Sequence, residues 1–286
     1  MKKVLITVVA VALLASVLAL CLTACDPNKD KAGYTPVPYQ ADTLTELNAG
    51  TADVAILDYT MASYLLAQET SLTKNLTMID SIEFPSEEYG VAFRKGSTGL
   101  ADKVNRALNA LKDTEVKEIA ARYGLEGAVL SLDYTAPASV NDNDWNAIVE
   151  KGKIVVGYTL NPPMAIQATS SDPLTGFDIE LPKAVFEWIN EEYDTNLTVE
   201  FQLIDWNTKE TELSSGNIDV IWNGMTITEE REAAMTISNP YLLNRQVAVI
   251  RSADADKYTT FESLKKARVV AENGSAGEEI ANSIFA

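Results

Sequence analysis

The chain has 286 residues, enough for one or two domains and a sizeable core. Lys+Arg number 23 and Asp+Glu 41, a formal net charge of −18 that argues against nucleic acid as a partner. There is no histidine, and the only cysteines, Cys21 and Cys25, sit near the N-terminus. This excludes histidine triads, histidine metal sites, imidazole acid–base chemistry and cysteine nucleophiles in the body of the chain, and no cofactor is expected.

Lys2 and Lys3 are followed by an almost wholly apolar run over 4–24. Leu22-Thr23-Ala24-Cys25 closes the run and resembles a bacterial lipobox. That resemblance implies a signal peptide over 1–24, cut before Cys25, with lipid on the Cys25 thiol and amine. The alternative is an uncleaved helical anchor, since the run is long enough to span a bilayer. Either reading puts the body outside the cytoplasm, bound to the membrane. Cleavage removes Lys2 and Lys3 and no acid, taking the net charge from −18 to −20. Residues 25–33 read as a short polar tether.

Residues 43–49 predict a helix with Leu44 and Leu47 on one face, closed by Gly50. Asp53-Val54-Ala55-Ile56-Leu57 is a short buried strand ending at Asp58, and 61–67 reads as helical. Asp58 either faces a ligand crevice, as strand-end carboxylates of α/β proteins often do, or caps the next helix. Residues 76–79 and 89–93 are strand candidates, with a turn at Arg94-Lys95-Gly96-Ser97. Residues 99–123 form an amphipathic helical stretch broken near Asp113-Thr114, with Leu100, Val104, Leu108 and Leu111 on one face and Gly124 as its stop. Small and polar residues fill 126–144, read as a linker.

A second block starts at Trp145. Ile154-Val155-Val156-Gly157 is a strand, followed by an irregular loop at Asn161-Pro162-Pro163-Met164. Gly176-Phe177-Asp178 opens a helix, with Pro182 tolerable in its first turn. Strands follow over 197–203, 246–250 and 268–271, with short helices near 213–216 and 261–266 and a helix from Glu278. Strands alternating with helices argue for an α/β fold with mainly parallel sheets.

Two turns carry candidate chemistry. The stretch 219–231 runs from an apolar strand through Asn223-Gly224 to the Thr226 and Thr228 hydroxyls and the Arg231 guanidinium. Those groups suit a small carboxylate. The plainer reading is a strand–turn–helix link in which Thr228 caps the helix and Arg231 is solvated. Asn273-Gly274-Ser275-Ala276-Gly277 lacks a P-loop's Lys-Ser/Thr pair, yet its N–H groups at a helix start suit any anion. An ordinary strand–helix turn explains it equally well.

From Trp145 onward the chain resembles the front part of the polar amino-acid-binding proteins of ABC importers. The resemblance rests on Lys153-Ile154-Val155-Val156-Gly157, Gly176-Phe177-Asp178-Ile179-Glu180-Leu181, Leu213-Ser214-Ser215-Gly216-Asn217-Ile218-Asp219 and Met225-Thr226-Ile227-Thr228-Glu229-Glu230-Arg231, with Asn239-Pro240-Tyr241 and Gly274-Ser275. Residues 34–125 resemble the rear part of the same family, through Leu47-Asn48-Ala49-Gly50, Asp53-Val54-Ala55-Ile56-Leu57-Asp58 and Tyr89-Gly90-Val91-Ala92-Phe93-Arg94-Lys95-Gly96. The rear part comes first here, so the order looks circularly permuted. The resemblance implies a two-lobe periplasmic-binding-protein fold with two hinge crossings. Lobe 2 would comprise 34–88 and 253–286. Lobe 1 would comprise 97–125 and 145–247, the hinges 89–96 and 248–252, and the linker 126–144. A fragment of a tandem protein and a domain-swapped dimer remain open beside the permuted monomer.

Residue by residue, the resemblance implies Arg231 as the fork for a ligand α-carboxylate, aided by Thr226, Ser275 and Ala276. Gly224 and Asp58 would receive the α-ammonium, with Asn223 adjacent. Trp206 would be one wall of the side-chain pocket and Met164 the other. Glu272 either favours a cationic or amide side chain or is simply solvated. The function implied is a lipid-anchored receptor that passes an amino acid to an ABC permease, and not an enzyme. A sensor subunit signalling to a membrane partner and an enzyme on the same scaffold are the other readings.

Overall fold

The computed structural model describes residues 31–286. The expected signal peptide, Cys25 and tether residues 25–30 lie outside the described residues. Strand β1 begins at Gly33, the last residue expected of the tether. Among the described residues no helix is long and apolar enough to cross a membrane.

The chain is α/β and builds two sheets. The strands are β1 (Gly33–Val37), β2 (Val54–Asp58), β3 (Leu76–Met78), β4 (Ser86–Tyr89), β5 (Ala92–Phe93), β6 (Lys153–Tyr158), β7 (Thr198–Leu203), β8 (Val220–Ile221), β9 (Thr236–Ile237), β10 (Leu242–Arg251) and β11 (Arg268–Glu272). The first sheet runs β1-β11-β2-β10-β3, with β4 also on β10. The second runs β7-β6-β8-β5-β9. β1, β11 and β2 are parallel to each other, as are β7, β6 and β8. The first sheet thus draws strands from both ends of the chain.

β2 reads as an unbroken apolar run because both its faces are covered. Val54 and Ile56 pack with Ala281 and Ile284 of the last helix, Ala276–Phe285. Ala55 and Leu57 point the other way, to Leu44 and Leu47 of the helix Asp42–Ala49. In the second sheet Ile154 and Val156 share a core with Phe186 and Ile189, while Val155 meets Leu213 and Ile218 on the opposite face. The helices Thr98–Leu111 and Glu115–Arg122 join the first of these cores through Leu100, Val104 and Ile119.

Two short segments connect the sheets, and both depart from expectation. The strand expected over 89–93 is two strands in different sheets, parted at Gly90-Val91. A Cβ on Gly90 would come within 2.7 Å of Ile237 Cγ2, so this passage needs glycine. The second connection falls at 238–241, between β9 and β10, and not at 248–252. Val247, Ala248, Val249 and Ile250 pair with β2 in the middle of the first sheet. Residues 242–247 therefore belong with the first sheet, not the second. The polar trio Asn244-Arg245-Gln246 hides this extension, because a strand is expected only where the apolar run begins. The connections also bind each other: Ser238 N–H donates to Val91 O at 2.9 Å and Tyr241 N–H to Tyr89 O at 2.9 Å.

The stretch 126–144 is more firmly held than a loose linker. Leu132 is buried, and Leu130 N–H donates to Tyr241 O at 3.1 Å. The helix that follows starts at Asn143, and Asp144 in its first turn accepts from the Gly99 and Leu100 N–H groups at the start of Thr98–Leu111.

Candidate functional site

Residues at the ends of the two sheets line a small cavity between them. Asp58, Glu272, Ser275 and Ala276 line it from the first sheet, and Trp206, Asn223, Gly224, Thr226 and Arg231 from the second. Those are nine of the ten binding residues expected from the sequence. The tenth, Met164, is fully buried and sits beneath the loop: its Cγ would lie 3.3 Å from a Cβ on Gly224. Thr159 and Asn161 line the cavity, and Met164 does not. Gln40 also lines the cavity.

The turn after β8 is fixed from behind. Gly224 has φ +63°, and its N–H donates to Asp178 Oδ2 at 2.6 Å. Asp178 is fully buried in the first turn of the helix Phe177–Tyr193 and also accepts from Tyr241 Oη at 2.8 Å. Burial pushes the Asp178 carboxyl up to about 7. The Asn223 amide, with its nitrogen towards Thr159 O (3.0 Å) and its oxygen towards Thr159 N–H (3.2 Å), ties the turn to the end of β6.

Arg231 lies in the short helix Glu229–Ala234, whose first turn Thr228 caps by accepting from Arg231 N–H at 3.2 Å. Capping and ligand roles are thus compatible. Arg231 itself is not solvated, being only 7% exposed. Its Nη1 donates to Thr226 O at 2.7 Å and its Nη2 to Gly274 O at 3.1 Å, which aims the guanidinium between the two sheets. Lys209 Nζ also donates to Gly274 O, at 3.1 Å, and lies 4.8 Å from the Trp206 ring centroid. Burial and the Arg231 charge lower the Lys209 ammonium's pKa. Two cations of the second side therefore share one carbonyl of the first.

Ser275 acts as an ordinary cap and lines the cavity as well. Its Oγ accepts from Glu278 N–H at 3.2 Å and donates to Glu272 O at 2.7 Å. The two readings of this loop were not exclusive.

Asp58 makes no side-chain bond to the helix Tyr59–Ala67 that follows it. Instead its carboxylate accepts from Gln40 Nε2 (2.9 Å), Asn244 Nδ2 (2.9 Å) and Gln246 Nε2 (2.6 Å). Glu87 shares two of these donors, Asn244 Nδ2 at 2.6 Å and Gln246 Nε2 at 2.7 Å. Burial raises the Asp58 pKa. Burial and the Asp58 charge push Glu87 up to about 7. Glu272 is 6% exposed, so it is not a solvated acid; burial, then Asp58, push it up to about 8. The cavity thus has donors at one end and carboxylates without cationic partners at the other. Among the described residues no group of three or more His, Cys, Asp or Glu is placed to hold a metal ion.

Gln40, Glu87, Asn244 and Gln246 went unrecognised in the sequence. The amides alternate along β10, at Asn244 and Gln246, and so face the same side as each other. That alternation is the signal that could have placed them beside Asp58 on the neighbouring strand.

Residues 154–279 match the bacterial extracellular solute-binding proteins, family 3. A probable ABC transporter extracellular-binding protein, YckB of Bacillus subtilis (strain 168), is 31% identical over 45% of this chain and 44% of its own length. The virulence sensor protein BvgS of Bordetella bronchiseptica is 29% identical over 78% of this chain but 17% of that protein. The L-cystine-binding protein TcyJ of Escherichia coli (strain K12) is 25% identical over 56% of this chain and 58% of TcyJ. The chain therefore spans less than two thirds of each of these relatives. The likeness to the bacterial extracellular solute-binding proteins, family 3, thus rests on residues 154–279, less than half of this chain.

Proposed function

We propose that the chain captures an amino acid between two closing lobes and delivers it to the permease of an ABC importer. The observation that carries this reading is the placing of Arg231 and Asp58 on opposite sides of one small cavity. A zwitterion needs a donor fork at one end and an acid at the other. Arg231, with Thr226, takes the α-carboxylate; Asp58, with the Gly224 carbonyl, takes the α-ammonium. Trp206 flanks the side chain. Because the two charges belong to different lobes, the ligand gains its full set of contacts only in the closed form, and that difference drives closure. The names of YckB and TcyJ support a transport role for an amino acid.

The family's front and rear parts are joined here in reversed order, as a circular permutation within one chain. Support comes from β1 pairing in parallel with β11 and β11 with β2, which brings both ends of the chain into one sheet. The body is anchored by lipid on Cys25 at the outer face of the cell membrane. Light scattering on the lipid-free body tests the arrangement. A mass near that of one chain is expected, and a stable dimer would favour exchange between molecules.

A sensor role is the second reading, because the match to BvgS covers more of this chain than the match to YckB does. Titration calorimetry with a panel of amino acids is the primary test. Saturable binding of at least one amino acid is expected, and turnover of a ligand by the purified protein would replace binding with catalysis. Uptake by cells carrying a cognate ABC permease, with and without this protein, separates transport from sensing.

A further inference from the structure

Resting on the amino-acid reading above, we propose that the ligand is a cationic amino acid, whose side-chain charge is received by Glu272. The argument is one of charge balance in a closed space. The cavity is lined by two carboxylates, Asp58 and Glu272, and one cation, Arg231. A neutral amino acid pairs its carboxylate with Arg231 and its ammonium with Asp58. Glu272 is then left buried without a counter-charge and stays a protonated, unpaired acid.

The protein does not supply the missing charge. Lys209 bears on Glu272, but its ammonium is engaged with Trp206 O (3.1 Å), Gly274 O (3.1 Å) and Glu210 Oε1 (3.2 Å). It also does not line the cavity. Asp58 and Asp205, both acids, also bear on Glu272, and the Gln40 backbone N–H favours its charged form. Glu87, behind Asp58 on the shared amides, adds negative charge to the same side. A second positive charge on the ligand lets Glu272 ionise and pair, and the Trp206 wall suits the stem and face of a guanidinium or ammonium side chain.

The raised pKa of Glu272, about 8, fits an acid waiting for a cation. Uptake of a cationic ligand near pH 7 then ionises Glu272 and releases its proton, so affinity for such a ligand tightens between pH 6 and pH 9.

The test compares L-arginine and L-lysine with L-citrulline, the uncharged near-isostere of arginine, by calorimetry on the wild-type protein and on Glu272→Gln. Wild type is expected to prefer arginine over citrulline by roughly 100-fold, and Glu272→Gln to reduce that ratio to below about 10-fold while still binding an amino acid. Equal affinity for arginine and citrulline in wild type overturns the proposal and leaves the amino-acid reading standing. So does a preference that survives Glu272→Gln unchanged. Should Glu272→Gln fail to fold, the wild-type ratio and its pH dependence decide alone, with flat arginine affinity from pH 6 to 9 counting against Glu272. Failure of every amino acid to bind overturns the underlying reading as well.

Discussion

Arg231 offers the sharpest perturbation, because its side chain has two jobs that separate experimentally. It is 7% exposed, and its Nη1 and Nη2 hold Thr226 O at 2.7 Å and Gly274 O at 3.1 Å. If it also forks a ligand carboxylate, Arg231→Ala removes two charge-assisted hydrogen bonds, each about 1.5–3 kcal/mol. Binding should weaken by about 3–5 kcal/mol, or roughly 200- to 5,000-fold. The same change leaves the Thr226 carbonyl short of a donor, at about 1–3 kcal/mol where water cannot reach it, while Gly274 O keeps Lys209. That second effect appears in a denaturant melt of the ligand-free protein, whereas the first appears only in calorimetry with an amino acid. Arg231→Lys should keep part of the affinity through its charge but lose the planar fork. Affinity within about tenfold of wild type in Arg231→Ala, together with a clearly lowered melting midpoint, would make Arg231 a structural clasp and refute the carboxylate role.

Other perturbations address the remaining parts. Asp58→Asn should weaken amino-acid binding by about 2–5 kcal/mol while leaving the ligand-free fold as stable as before or more so, since a buried acid without a cationic partner is neutralised; calorimetry paired with urea melts reads both. Asp178 ionises at about 7 in the folded protein against an ordinary 3.8. The folded state therefore holds a proton that the unfolded state has lost, and stability falls as pH rises through that window. Between pH 5 and 7 this group contributes a loss of about 2–3 kcal/mol, and Asp178→Asn should flatten that slope in urea melts; an undiminished slope assigns it to other groups. Gly176 has φ +128°, and a Cβ there would stand 2.2 Å from Met164 O. Gly176→Ala should cost at least about 1–3 kcal/mol, and a normal melting temperature would show that the turn relaxes freely. Thr228→Ala should cost about 1 kcal/mol by uncapping Arg231's helix, with binding weakened only as far as Arg231 shifts.

The parts of the fold legible in the sequence were those carried by periodicity and turn chemistry. Leu44 and Leu47 marked a helix face, and the run from Val54 to Leu57 marked a strand buried on both sides. Asp58 was legible as a candidate because it ends a strand, and Arg231 because the hydroxyl-bearing turn before it matched the family's motif. Illegible were the groups whose importance depends on a distant strand. Asn244 and Gln246 look like the polar edge of an apolar run, and only their pairing beside Asp58 makes them ligands of a carboxylate. The same polar trio concealed the first half of β10 and so displaced the expected crossing to 248–252. Met164 was assigned to a pocket wall from its position in a loop, but that loop turns its thioether under Gly224. Glu272 could not be told from a solvated acid until burial was known.

The carbonyl of Gly274, held at once by Lys209 and Arg231, bears on how quickly the cavity can be reached. If the proposed closure of two lobes holds, both donors release that oxygen as the lobes part. Association would then run through a gate whose frequency belongs to the protein. At low concentration the observed rate rises with ligand, but at high concentration it levels off at the rate of gate opening. On that reading the same fastening would also hold a captured ligand in, slowing exchange in both directions.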